Sequence, residues 1–276
     1  MTVLNPGDEA ILLSPSWASY EPMISIIGGV PVNVPVDRKN FHPDMDAIRS
    51  SITNRTRMIM VNSPCNPTGA VYAREEIEEI VSIAIEHDLW IVSDEIYSRL
   101  IWNGGEHVSP ATIEGGKERT IVISGWSKTW AMTGMRVGFL AGPEQAVRAA
   151  VKCQANSASH IPTFMMEAAR VALDCDDHVE RFSDAYRQRR KLMVQGLEDI
   201  PGLRIVNPEG AFYLFIDVSG TGMSDVEFAD GALEAGVQLI PASLITGGEG
   251  FIRVSYAASE EDIKEGISRL RSWLLQ

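Results

Sequence analysis

Short apolar runs alternate with segments of helical period along the first two thirds of the chain, the pattern of a largely parallel sheet covered by helices. Ala10-Ile11-Leu12-Leu13 reads as a strand that runs into Ser14-Pro15-Ser16. Val30 to Val36 is a poorer strand, because Pro31 and Pro35 cannot donate to a ladder and suit an edge better than a central position. Met58-Ile59-Met60-Val61 is a third, ending at the turn-rich segment Asn62 to Gly69. Ile77, Ile80, Val81, Ala84 and Ile85 then recur in steps of three and one, which is one face of an amphipathic helix. Leu89-Trp90-Ile91-Val92 and Thr120-Ile121-Val122-Ile123 predict two more strands, ending at Ser93-Asp94 and Ser124-Gly125.

Helical signal resumes at Glu144, breaks near Ile161-Pro162, and continues from about Asp177 to Leu197 as a long charged helix able to bridge two domains. Beyond Pro201, strands (Gly210 to Val218, Phe251 to Tyr256) alternate with helices (Asp225 to Ala235, Glu260 to Leu274). The expected architecture is α/β, with a large domain over residues 1–176 and a small C-terminal α+β domain over residues 177–276. Neither internal repeats nor low-complexity segments interrupt it.

Composition narrows the class of protein. The 276 residues are 45% apolar and 22% charged, ordinary for a soluble globular chain. A net charge of −13 argues against a surface built for nucleic acid or an anionic membrane. Cys65, Cys153 and Cys175 have no metal-ligand spacing, and their small odd number argues against a disulfide framework and for a reducing cytoplasm. Met1 to Gly7 lacks the make-up of a signal peptide, and no uncharged apolar run approaches the roughly 18 residues of a membrane span. The expectation is a cytoplasmic protein with no metal, membrane or nucleic-acid partner.

Ligands of open parallel sheets bind outside the carboxyl ends of the strands. Here three strand ends carry usable chemistry: Asn66-Pro67-Thr68-Gly69, Asp94-Glu95-Ile96-Tyr97, and Ser124-Gly125-Trp126-Ser127-Lys128 with Arg136 eight residues further on. Taken singly, each has a plain structural reading: a turn, a helix-capping Asp, a solvated Lys. Together and in this order they suit a small, anionic, electrophilic heterocycle, with an acid for a ring nitrogen, a phenol, an amine nucleophile, and a phosphate site made by Ser and Arg.

The set closely resembles the fold type I pyridoxal-phosphate enzymes, specifically the class I and II aminotransferases related to aspartate and aromatic aminotransferases. The similar pieces run from Asn5-Pro6-Gly7-Asp8-Glu9 to the C-terminal helix, with Lys128 to Gly138 the most specific and Phe251-Ile252-Arg253-Val254-Ser255-Tyr256 a further match. The resemblance implies pyridoxal 5′-phosphate as cofactor and a homodimer. It also implies ping-pong transfer of an amino group between an L-amino acid and a 2-oxo acid.

Residue by residue, the resemblance makes Lys128 the amine that forms an imine with the cofactor aldehyde and, once released, moves the proton at the substrate Cα. Either task needs a neutral amine, and so a pKa lowered by burial or nearby positive charge. Asp94 would pair with the protonated pyridine nitrogen and keep the ring an electron sink. Tyr97, three residues on and expected on one helical face with Asp94, would reach the ring oxygen, with Asn66 as a second donor that also orients the substrate carboxylate. Arg136 and Ser127, with Ser124 as an addition, would bind the phosphate. Trp17, in Ser14-Pro15-Ser16-Trp17-Ala18-Ser19-Tyr20, matches the aromatic that stacks on the ring. Arg253 would grip the substrate α-carboxylate from the small domain, so that binding draws the domains together.

Two departures stand out. Many relatives have serine three residues before the lysine, where this chain has Gly125. Relatives also carry about a hundred further residues ahead of Pro6-Gly7-Asp8, including a small-residue loop whose amides hold the phosphate at a helix N-terminus. The chain is therefore expected to be a fragment or to have a misplaced start, with a shortened paralogue as the alternative, and to bind the cofactor poorly as it stands. Two other functions share the opening chemistry: a pyridoxal-phosphate-dependent β-lyase, and the non-catalytic cofactor-sensing part of a regulator.

Overall fold

Five strands in parallel and one antiparallel edge form the larger of two sheets in the computed structural model, which describes residues 2–102, 104–245 and 247–275. In chain order its elements are β1 (Glu9–Ser14), α1 (Tyr20–Ser25), β2 (Val30–Pro35), α2 (Met45–Ser50), β3 (Thr56–Asn62), α3 (Arg74–Glu86), β4 (Trp90–Asp94), β5 (Thr120–Gly125) and β6 (Gly138–Ala141). The spatial order is β2-β1-β3-β4-β5-β6. Every residue of β1 is buried, as a central parallel strand covered on both faces requires. β2, with its two prolines, lies at the edge, as its composition predicts.

Helices α4 (Glu144–Ala155), α5 (Thr163–Ala172) and α6 (Asp176–Leu197) lead to the second part of the chain. There β7 (Arg204–Ile205), β8 (Tyr213–Asp217), α7 (Asp225–Glu234), β9 (Ile240–Pro241), β10 (Phe251–Ser255) and α8 (Glu260–Leu274) follow, and the strands pair antiparallel in the order β7-β8-β10-β9. Helix starts follow local chemistry. Ser224 Oγ accepts from the Glu227 amide (3.2 Å) while Glu227 accepts from the Ser224 amide (2.8 Å), a reciprocal cap on α7. Ser259 Oγ accepts from the Asp262 amide (3.0 Å) at the start of α8.

Alternation along β8 and β10 divides their side chains between two environments. Leu214, Ile216, Ile252 and Val254 pack with Leu197, Phe228, Ile263 and Leu270 of α6, α7 and α8. Phe215 and Phe251 point the other way and stack on each other with ring centres 4.8 Å apart. Both meet Phe41 edge-on, within a core that contains Ile11, Ile59 and Val61 of the larger sheet. One continuous apolar core therefore fixes the second sheet against the first.

The periodicity locates the long elements to within a few residues but misses others. β6 is hidden because its four residues are mostly exposed and begin only where the lysine–arginine motif ends. The strand expected from Gly210 starts only at Tyr213, after Ala211 in the left-handed region at φ 57°. Tyr97 does not share a helix with Asp94, since residues 96–99 form turns. Among the described residues no helix is long and apolar enough to cross a membrane.

A polar clamp ties the two parts together. His42 Nδ1 lies 2.9 Å from Glu76 of α3, and its Nε2 lies 3.4 Å from Glu209, just ahead of β8. Glu209 also accepts from the Val71 amide (3.0 Å). Hydrogen bonds to Glu209 and then Glu76 outweigh burial and raise the His42 pKa from 6.5 to about 10. A histidine whose pKa is raised by folding stabilises the folded state fully below its unfolded pKa, and that contribution fades as pH rises through the folded pKa. Denaturant unfolding should therefore show stability falling between pH 6.5 and 10, by about 4 kcal/mol at most. In His42→Gln that slope should be absent; an unchanged slope would exclude the clamp as its source.

Candidate active site

Because β1, β3, β4 and β5 run parallel, their carboxyl ends open on one rim. The segments that leave them line a cavity of about 530 Å³, with β8 and β10 contributing from the second sheet. Every residue named from the sequence reaches it: Trp17, Asn66, Asp94, Tyr97, Ser124, Ser127, Lys128, Arg136 and Arg253.

Asp94 ends β4. Its Oδ2 accepts from the Tyr20 hydroxyl (2.7 Å) and its Oδ1 from the Ile96 amide (3.1 Å). Burial raises its pKa, and these donors offset the rise only in part. Asn62, at the end of β3, donates to the Asp94 carbonyl (3.0 Å) and accepts from the Asn66 amide (2.9 Å), so one side chain sets the register of both loops. Gly69 closes the second loop at φ 75°, where a Cβ would meet Pro208 at 2.5 Å.

Lys128 is half-buried, with Nζ 5.5 Å from the centre of the Phe212 ring. Burial lowers its pKa, followed by the charges of Arg136 and Arg253, while Asp94 opposes them. The neutral amine that imine chemistry needs is thus favoured by its surroundings. Arg136 holds the left-handed conformation at φ 55° and donates to the Thr133 carbonyl (3.0 Å), so its fork is exposed at the cavity mouth. Ser124 donates to the Glu95 carbonyl (3.1 Å), which commits its proton and leaves only a lone pair for a ligand. Gly125 has a structural reason to replace serine. It pairs with Gly138, and a Cβ there would lie 2.7 Å from the Val137 carbonyl oxygen.

Tyr97 is buried with its hydroxyl 3.0 Å from that of Tyr213, and burial, then the neighbouring phenol, raise its pKa. Arg253 Nη1 donates to Asn66 Oδ1 (3.1 Å), and its guanidinium lies 4.8 Å from the centre of the Tyr213 ring. Trp17 presents an exposed indole that meets Tyr20 edge-on at 5.3 Å. Sequence reasoning missed Tyr20, Asn62 and Tyr213. The first two lie three and four residues from named positions, while Tyr213 shows only an aromatic run in Ala211-Phe212-Tyr213-Leu214-Phe215.

This donor set fits a flat, cationic, phosphorylated heterocycle. An amine and a half-buried carboxylate border one cavity, phenol and carboxamide groups supply donors, and the exposed Arg136 lines it as a cation for an anionic group. A parallel α/β sheet carrying such a cleft, with an antiparallel sheet beside it, defines a fold type I transferase. The chain belongs to the aminotransferase class I and II family, whose model matches residues 1–270, and is a pyridoxal 5′-phosphate-dependent aminotransferase. It is 40% identical over 272 residues to an aspartate/prephenate aminotransferase of Thermus thermophilus, covering 97% of this chain and 69% of that one. It is also 40% identical to aromatic-amino-acid aminotransferase 2 of Thermococcus litoralis, covering 99% of this chain and 72% of that one. The solved aromatic aminotransferase of Pyrococcus horikoshii superposes with a TM-score of 0.96 at 38% identity, over 99% of this chain and 74% of that chain. These relatives bear transaminase names, which gives no support to a β-lyase or a regulator.

Removing a flanking cation should return Lys128 toward the ordinary lysine range. In the cofactor-free protein, the pH dependence of Lys128 acylation should give a midpoint below 10.5, and a higher midpoint in Arg136→Gln than in the parent. Identical profiles in both proteins would remove Arg136 from the causes.

Proposed function

We propose that the cavity residues divide the transamination of an L-amino acid and a 2-oxo acid among themselves as follows. Pyridoxal 5′-phosphate, when bound, supplies the aldehyde for covalent attachment and the ring that stores the electron pair of Cα. Lys128 is the attachment point and, once displaced, carries the proton at Cα, a task for which its lowered pKa suits it. Asp94 holds the ring nitrogen protonated. Its half-buried carboxyl, fixed by Tyr20 and Ile96, gains from a cation there. Tyr97 and Asn66 orient the ring oxygen, Trp17 covers a ring face, and Ser127, Arg136 and the lone pair of Ser124 border the phosphate. Arg253 and Asn66, already hydrogen-bonded, receive the substrate carboxylate.

The observation that carries this reading is that Lys128 and Asp94 border the same cavity, close enough for each to shift the other's pKa. Lys128→Ala should abolish the absorbance of lysine-bound cofactor and slow amino transfer by about 10³-fold or more. Asp94→Asn should leave attachment intact while slowing transfer by about 10²-fold. A Lys128→Ala protein that keeps the absorbance and turns over normally would end the assignment.

Residues 1–176 and 177–276 are read as large and small domains, with Arg253 drawing them together as substrate binds. Aspartate, prephenate-derived or aromatic amino acids are the substrates that the relatives' names suggest. Three free cysteines suit a cytoplasmic protein. A homodimer is also proposed, supported by the apolar surface of α5, where Phe164, Met166 and Val171 are exposed. Sedimentation equilibrium at micromolar concentration should give twice the chain mass, and a monomer there would count against it.

A further inference from the structure

Tyr213 touches both halves of the proposed site yet is assigned no part in it. It is the first residue of β8, opposite Ser255 of β10, on the face that also carries Arg253. The phenol is buried, and its hydroxyl lies 3.0 Å from that of Tyr97, with the rings edge-on at 5.9 Å. The same ring lies beneath the Arg253 guanidinium, 4.8 Å from its centre. A buried hydroxyl needs a partner, and Tyr97 is one that is itself aimed into the cavity.

We propose that Tyr213 is a positioning residue with two separable actions: its hydroxyl donates to Tyr97 and sharpens Tyr97 as a donor, and its ring supports Arg253 as the carboxylate clamp. This rests on the site reading above. A phenol that accepts one hydrogen bond becomes a better donor in the next, because each bond polarises its neighbour. With Tyr213 donating, the Tyr97 proton is directed away from the second sheet and toward a ring oxygen in the cavity. Independently, a cation over an aromatic face is held by the ring quadrupole, which keeps the guanidinium at Asn66 instead of in solvent. One residue of the second sheet thereby links the grip on the substrate to the group that tunes the cofactor.

Two substitutions separate the actions. Tyr213→Phe keeps the ring and loses the hydroxyl; Tyr213→Leu loses both. In the cofactor-loaded protein, the protonation midpoint of bound pyridoxal phosphate, read by absorbance against pH, should rise by about half a unit in Tyr213→Phe. The rise follows because a weaker donor stabilises the deprotonated ring oxygen less. In a Tyr97→Phe background the same substitution should produce no further shift, since the effect passes through Tyr97. The Kd of propionate, an unreactive carboxylate, should stay within about two-fold in Tyr213→Phe and rise about five-fold in Tyr213→Leu.

A midpoint that does not move in Tyr213→Phe, or that moves equally without Tyr97, overturns the hydroxyl's action. Equal weakening of propionate by Phe and Leu overturns the ring's. Should Tyr213→Leu not fold, the Phe variants still decide the first action, and propionate binding by a Tyr213→Trp protein decides the second, with Kd within about two-fold expected and a rise like that predicted for Leu overturning it. A parent protein with no lysine-linked absorbance would overturn the site reading and this inference together, whereas a normal parent with unresponsive variants would overturn the inference alone.

Discussion

Charge held in a partly dry cleft is the constraint around which the rest is organised. A carboxylate removed from water favours its protonated form, and an ammonium in the same setting favours loss of its proton. The chain holds both groups at one cavity and compensates neither fully. Asp94 receives a hydroxyl and an amide, which is less than burial takes away. Lys128 faces two guanidinium groups and a single carboxylate, so its charge is opposed from several directions. Such an arrangement persists only because the packed sheet beneath it leaves the side chains no easier place to go.

The second sheet is part of the site and not an appendage to it. Phe41, Phe215 and Phe251 join the two sheets in one aromatic cluster, and Arg253 lies two residues along the strand from Phe251. The guanidinium is therefore positioned by the same packing that closes the core. His42 adds a charged tie between Glu76 and Glu209 on either side of the junction.

Much of this was legible from the residues. Strands buried on both faces announce themselves as apolar runs, and the parallel arrangement then puts their carboxyl ends, with Asn66, Asp94 and Lys128, on one rim. The helices α3, α6 and α8 repeat their apolar positions strongly enough to be located to within a residue or a few. What escaped shows why pattern alone stops short. β6 is a short exposed edge with no run to detect, and the turns at residues 96–99 are local backbone geometry that spacing does not encode. The Tyr20–Asp94 and Tyr97–Tyr213 contacts join residues 74 and 116 positions apart, so they exist only once the sheets are assembled. Gly125 looks like a lost ligand in the letters and turns out to be a clearance requirement against Val137.

The pairing of β8 with β10 has a further consequence. Odd-numbered side chains there face the larger sheet, Tyr213 and Arg253 at its cleft and Phe215 and Phe251 in the core beneath, while even-numbered ones face the helices, so each strand is at once working surface and internal wall. Sliding either strand by one position would exchange the two sets, turning a guanidinium into the helix layer and an isoleucine or a valine toward the ligand. A mispaired chain could thus retain its secondary structure and still be catalytically silent, which makes turnover a sensitive gauge of correct assembly in this half of the molecule.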